Sequence, residues 1–417
     1  MKYVVCIFLP TRCAGLQPKF GIQLVMKYKL QGERSLDNSQ DIFNLLDEVK
    51  SRGGSENLVN DSVSLFLEQK ARETGTPYRG VFELTPLCNL NCKMCYVHLN
   101  EAQMQDKKLL PTETWLDLMG QAIEAGMSRA ALTGGECLTY PGFDDLYLFL
   151  KSKGIMVTVK TNGVLLNAER IDFFKRNPPR AILISLYGHS DEIYEKVTGK
   201  RVFSTVSENI LLAKRAKLPI GIMITPNSYM GDAVKETIRF AKELELPYFI
   251  NSTLMSPRPS TQREKDDYDL PLDQYIDILL FDCALHDVMP QVCEPLAQKS
   301  GGESQYELKG IRCGAGKSSF SIRWDGSMTP CVSMDSIVSN PVAVGFTSAW
   351  RHINREMNIF PSFLKCERCS YAQSCNFCAA ENEKLGSRFL LNNKWCQRTW
   401  KLVENGLVSS DRKCEEE

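Results

Sequence analysis

The chain of 417 residues has no excess of charge of either sign, because fifty lysines and arginines balance fifty aspartates and glutamates. That balance gives no electrostatic signal for nucleic acid, and the only acidic run is the short Glu415-Glu416-Glu417 end. Long apolar runs are also lacking: none approaches the roughly 20 residues that a membrane span needs. The opening MKYVVCIFLPTRCAG has the charged start and short apolar run of a secretory signal, and Met26 offers a second start. Secretion would place sixteen cysteines in an oxidising compartment, yet their spacings are those of metal ligands. The expectation is therefore a cytoplasmic protein with reduced thiols. Cysteine is itself missing from one long tract, residues 138–282, which separates two cysteine-bearing regions. Length and an ordinary hydrophobic share of 43% suggest two or three globular domains.

The cysteine-poor tract has a rhythm. GVFELT (80–85), RAALT (129–133), IMVTVKT (155–161), AILISLY (181–187), PIGIMIT (219–225) and PYFINS (247–252) are short β-rich runs bounded by Gly, Pro or Asn. Between them lie helical patterns such as TETWLDLMGQAIEAG, with Thr112 as N-cap, and GDAVKETIRFAKELEL. Strand–helix alternation predicts an α/β fold with parallel βαβ units, closed as a barrel or left as an open sheet. In such folds function collects in the loops that follow the strand C-termini.

Three of those loops carry the chemistry. CNLNCKMC places Cys88, Cys92 and Cys95 at C-x3-C-x2-C just beyond the first strand. The second strand ends in TGGE (133–136) and the third in KTNG (160–163). Three local thiols can hold a structural zinc if a fourth ligand such as His98 joins them. They can equally hold a [4Fe–4S] cluster that keeps one iron open.

A C-x3-C-x2-C loop after the first strand, with TGGE at the next strand end, resembles the radical S-adenosylmethionine (SAM) superfamily, over roughly residues 79 to 255. The resemblance implies a partial (β/α)6 TIM-like barrel. It implies a [4Fe–4S] cluster on Cys88, Cys92 and Cys95, whose open iron chelates SAM and whose electron cleaves it to a 5′-deoxyadenosyl radical. Met94 would lie against the adenine, and Gly134, Gly135 and Glu136 against the methionyl group. Asn162 and Ser185 would reach SAM from the third and fourth strand ends, and Arg201 would pair with its carboxylate. Each also has a plainer reading, as core filler, turn former or exposed arginine. Cys137, directly after the GGE, is a candidate hydrogen-atom donor or simply a small buried residue.

Seven more cysteines follow: Cys313, Cys331, Cys366, Cys369, Cys375, Cys378 and Cys396. WDGSMTPC carries the Asp325-Gly326 hairpin signal between the first two. On spacing alone they could be zinc sites. Beside a radical SAM barrel they resemble the SPASM extension, which implies two auxiliary [4Fe–4S] clusters. By position Cys366, Cys369, Cys375 and Cys396 would hold the outer one, and Cys313, Cys331 and Cys378 the inner one. Two residues rather than three separate Cys375 from Cys378, a departure from the SPASM pattern. The inner cluster is one ligand short, since Glu307 stands where some relatives have an eighth cysteine. Cys283 or Cys293 could reach back, or an iron could stay open for a peptide thiolate.

SPASM enzymes mostly modify peptides and proteins, so the resemblance implies a peptide or protein substrate, such as a ribosomal precursor, and a reductant such as flavodoxin or ferredoxin. A thioether, a C–C crosslink or an oxidised side chain would result. Neither nucleic acid nor membrane is an expected partner. The sulfatase-maturating branch has an aspartate directly after the second hairpin cysteine. Here Val332 stands there, with Asp335 nearby as a weaker candidate base. Residues 1–78 would form an N-terminal αβ or helical region that binds a leader peptide or acts as a lid, 79–290 the barrel and 291–417 the auxiliary-cluster domain. A radical SAM enzyme on a small metabolite and a non-catalytic zinc protein are the alternatives.

Overall fold

The computed structural model describes residues 56–251, 253–258, 268–287, 306–372 and 374–408. The strand-like IQLVMKYKL, the helix expected over SQDIFNLLDEVKSRGG and Cys6, Cys13, Cys293 and Cys414 lie outside the described residues. The helix expected within 60–75 is present as Glu56–Thr74.

Six parallel strands follow in order: β1 (Arg79–Glu83), β2 (Arg129–Thr133), β3 (Met156–Thr161), β4 (Ala181–Leu186), β5 (Ile220–Ile224) and β6 (Tyr248–Ile250). β2 to β6 fall within expected runs, and β1 starts one residue before its run. Alternation is clearest in β4, where Ile182, Ile184 and Leu186 are buried and Ala181, Leu183 and Ser185 only half-buried. The buried rows face the helices, whose apolar stripes close over them. Helix Thr112–Glu124 buries Trp115, Leu118, Met119 and Ala122, and Trp115 meets Phe82 of β1 edge-on at 6.0 Å. A large side chain buried in this way contributes about 2–3 kcal/mol. That helix is capped by Pro111 rather than Thr112. Proline there has no N–H to leave unpaired, and the threonine hydroxyl lies 3.4 Å from that of Tyr140 instead.

The sheet does not stop at six strands. β7 (Tyr306–Leu308) and β10 (Pro361–Phe363) form a separate antiparallel pair. β8 (Ser319–Ile322), however, pairs in parallel with β1, from Arg79 opposite Ser319 to Phe82 opposite Ile322. β9 (Met328–Thr329) then pairs antiparallel with β8, giving the order β6-β5-β4-β3-β2-β1-β8-β9. The expected hairpin is this β8–β9 unit, with Gly326 at φ +85° in its turn. The sheet thus continues past residue 290. The C-terminal region supplies the strand that covers the β1 edge, and Phe320 completes the core against Phe82, ring centroids 5.9 Å apart.

Candidate functional site

The C-terminal ends of β1, β2 and β3 meet through backbone contacts. Leaving β2, Gly135 N–H donates to Thr85 O at 2.7 Å and Glu136 N–H to Leu87 O at 2.9 Å. These carbonyls belong to the segment between β1 and the cysteine triplet. A Cβ on Gly134 would sit 2.5 Å from Thr85 O, and one on Gly135 2.4 Å from Leu87 O. The two glycines are thus required by the triplet's own approach loop, whatever a ligand would need. Glu136 is buried and stitches β2 to β3: it accepts from the Thr161 hydroxyl at 2.8 Å, Asn162 N–H at 2.7 Å and Leu138 N–H at 3.2 Å. Desolvation raises its pKa against those hydrogen bonds.

The triplet loop lies over this rim and against the end of helix Asp191–Thr198. Asn91 N–H donates to Thr198 O and Lys93 N–H to Val197 O. Backbone N–H groups also point at sulfur, Leu90 at Cys88 Sγ (3.4 Å) and His98 at Cys95 Sγ (3.3 Å). Asn162 Nδ2 donates to Asn89 Oδ1 at 2.7 Å and lies 3.6 Å from Cys88 Sγ. So Asn162 faces the first cysteine, as part of the thiol environment. Desolvation and then Cys92, Cys95 and Cys88 push the Tyr187 phenol well up, with Ser185 at the end of β4 acting the other way. One phenol therefore lies within electrostatic reach of all three thiols. Burial, Glu136 and Cys95 push Cys88 up to about 12.

Met94, between Cys92 and Cys95, is buried in the same core cluster as Cys92. Arg201 is exposed and pairs with Glu192 and, at 3.0 Å, with Glu195, both on the preceding helix. Cys137 is fully buried, its thiol directed at Lys160 O at 3.2 Å, which is its plainer reading. Asp335 lies beside the hairpin cysteine in a cage of cations: Arg323, Lys384 at 3.1 Å and Arg258 at 4.0 Å. Desolvation would raise its carboxyl, but Arg323 and Lys384 outweigh that and hold it below the ordinary value. A carboxylate so held is a poor proton acceptor.

The remaining cysteines form two sets by mutual influence. Cys366 is pushed up to about 12 by burial and then by Cys396, Cys375 and Cys369. Cys331 is pushed up to about 11 by burial and then by Cys313. Cys378 also rises to about 11, through burial with contributions from Cys331 and Glu381. Cys283 belongs to neither set: its shift comes from burial and Asp282. Glu307, on β7, is exposed and pairs with Lys309 at 2.9 Å. Among the described residues, no three His, Cys, Asp or Glu side chains form a ready single-ion site. Thiols that raise one another's pKa cannot ionise together without positive charge, and a bound metal centre supplies it by deprotonating its thiol ligands outright. The donor sets therefore suit a thiolate-bound metal centre, an iron–sulfur cluster or zinc.

Sequence reasoning missed one group. Glu83, at the end of β1, is fully buried and makes a two-pronged ion pair with Arg258, at 2.6 and 2.9 Å. The signal was an acid in the otherwise apolar GVFELT, since a buried charge needs a partner.

Comparison with known proteins agrees with this geometry. Residues 82–254 match the radical SAM superfamily profile. An AdoMet-dependent heme synthase of Methanosarcina barkeri is 24% identical over 345 residues, 78% of this chain and 97% of that protein. The sporulation killing factor maturation protein SkfB of Bacillus subtilis is 24% identical over 61% of this chain, which spans 60% of SkfB. SuiB of Streptococcus suis, solved with bound S-adenosylmethionine, superposes with a TM-score of 0.60 at 15% identity, covering 91% of this chain and 88% of that one. SuiB has also been solved bound to the precursor peptide SuiA. That superfamily uses a [4Fe–4S] cluster and SAM, and residues 82–254 of this chain match it, within a mostly parallel α/β sheet like that of the solved neighbours and ahead of a cysteine-rich C-terminus.

Proposed function

We propose that this chain is a peptide or protein maturase in which Cys88, Cys92 and Cys95 hold the SAM-binding cluster. The observation that carries the reading is the rim itself: three thiols share one desolvated mouth with Asn162, Ser185 and Tyr187. When bound, the cluster and SAM supply reductive C–S cleavage and a 5′-deoxyadenosyl radical that removes a hydrogen atom from substrate. The chain's own residues orient and exclude. Gly134 and Gly135 let the triplet's approach loop sit directly on β2, and Glu136 locks β2 to β3 so that Asn162 faces Cys88. Backbone N–H groups of Leu90 and His98 stabilise negative charge on sulfur. Desolvation keeps the Tyr187 phenol protonated beside the three thiols.

Cys366, Cys369, Cys375 and Cys396 would hold an outer auxiliary cluster, and Cys313, Cys331 and Cys378 an inner one. Among the described residues the inner set has three thiols, with Glu307 exposed and Cys293 outside those residues, which would leave a position for substrate. A peptide thiolate suits that position, which favours a thioether or an oxidised side chain as product. The peptide substrate is supported by the likeness to a maturation protein and by the fold shared with SuiB. We place the enzyme in the cytoplasm with a flavodoxin- or ferredoxin-type reductant; no described helix is long and apolar enough to cross a membrane. A second reading, a small-metabolite substrate, has its own support in the heme synthase that matches over 97% of its length.

The test is iron and sulfide per chain after anaerobic reconstitution, with dithionite-driven SAM cleavage, in wild type and in a Cys88/Cys92/Cys95→Ala variant. About twelve irons, falling by about four with loss of 5′-deoxyadenosine, is the expected result. Stoichiometric zinc without iron would end the enzymatic reading. A precursor peptide, supplied with SAM, should gain a mass change that a small-metabolite enzyme would not produce.

A further inference from the structure

The segment leaving β6, residues 253–258, reaches residues near Cys95, Cys331, Cys378 and Cys396. Thr253 Oγ1 accepts from Arg398 at 3.2 Å, two residues past Cys396. Ser256 donates its N–H and hydroxyl to the buried carboxylate of Glu381, three residues past Cys378. Arg258 goes further. Its guanidinium is 5% exposed and grips Glu83 with both prongs. The same Nη2 donates to Val332 O at 2.9 Å, the carbonyl directly after Cys331. Its plane stacks over Tyr96 at 5.4 Å, and its backbone N–H donates to Tyr96 O at 3.2 Å. Tyr96 is the residue directly after Cys95. One buried cation thus anchors the residue after the last triplet cysteine and the residue after the hairpin cysteine, with Glu83 as their common base.

We propose that Arg258 is a positioning residue that fixes the spacing between the SAM-binding cluster and the inner auxiliary cluster. This rests on the cluster reading above. A planar five-donor fork can hold a carboxylate on one edge and a carbonyl beside it, which an ammonium cannot. Its removal leaves Glu83 buried without its partner, so Arg258 alone is a harsh substitution. Replacing both charges with apolar groups of similar volume removes the anchor without leaving a buried charge.

The experiment uses the reconstituted full chain with SAM alone, in wild type, Arg258→Lys, Arg258→Met and Glu83→Leu/Arg258→Met. Iron and sulfide per chain are measured first. The reduced clusters are then compared by EPR power saturation, which reads the magnetic interaction between neighbouring clusters and falls steeply with their separation. The expected result is unchanged iron in the double variant and at least a two-fold lower half-saturation power for the SAM-cluster signal. Arg258→Lys, which keeps the charge but not the fork, is expected to follow it. Full iron with wild-type saturation in the double variant would overturn the positioning role, as would a lysine variant identical to wild type. About four irons in wild type would instead overturn the auxiliary-cluster reading, and this proposal with it.

Discussion

At the scale of single residues, the rim is built from contacts too close for substitution. Gly135 has its missing Cβ 2.4 Å from Leu87 O, a backbone atom that cannot swing aside. Gly135→Ala should lose about 1–3 kcal/mol by urea titration and lower iron occupancy after reconstitution. Gly386→Ala, where a Cβ meets nothing within 4 Å, should do neither. Asn162→Ala removes the side-chain donor facing Cys88. In reconstituted protein it should lower the midpoint potential of the SAM cluster in a redox titration, because hydrogen bonds to the sulfurs favour the more reduced cluster. The triplet's chemistry was legible because spacing alone declares three ligands together. The partner of Arg201 was legible too, in Glu192 and Glu195 a few residues before it, but the pattern that pointed to SAM obscured it. The Glu83–Arg258 pair was not, since nothing local ties residues so far apart in sequence.

At the scale of elements, burial and neighbouring thiols raise the pKa values of the cysteines on these loops. Cys88 and Cys366 stand at about 12, and Cys331 and Cys378 at about 11. Their ordinary value is near 8.5. With folded-state values above the unfolded ones, these thiols contribute stability that is fully present below the unfolded value. It is lost as pH rises through the folded values. The reduced apo-protein should therefore have a lower urea midpoint at about pH 10.5 than at about pH 8. A loaded protein, whose thiolates are already ionised on metal, should lack that component of the fall. The barrel strands themselves were readable from β-branched runs at period two, and the six expected between residues 80 and 252 are present within a few residues of their bounds. Thr112 and Pro111 show the usual limit of such readings, because the cap depends on which neighbour competes for the hydroxyl.

At the scale of the molecule, the feature that local patterns did not carry is β8. SSFSIRW is short and has no helix leading into the barrel, so nothing nearby announces a parallel partner for β1. Tertiary pairing decides it, through Phe320 against Phe82 and the β1 edge that would otherwise stay open. A chain ending at residue 290 should aggregate, and size-exclusion should find little monomer compared with the full chain.

That pairing also imposes an order in time. β1 is the first strand of the sheet to leave the ribosome, yet its far neighbour is complete only when Ile322 has emerged. Domains generally fold as units during synthesis, at about 5–20 residues per second. For most of its own translation the cysteine triplet hangs from an unfinished edge. Cluster insertion before residue 322 would meet a loop with one flank missing. The fold thus favours a newly made chain that closes its sheet first and receives its iron afterwards.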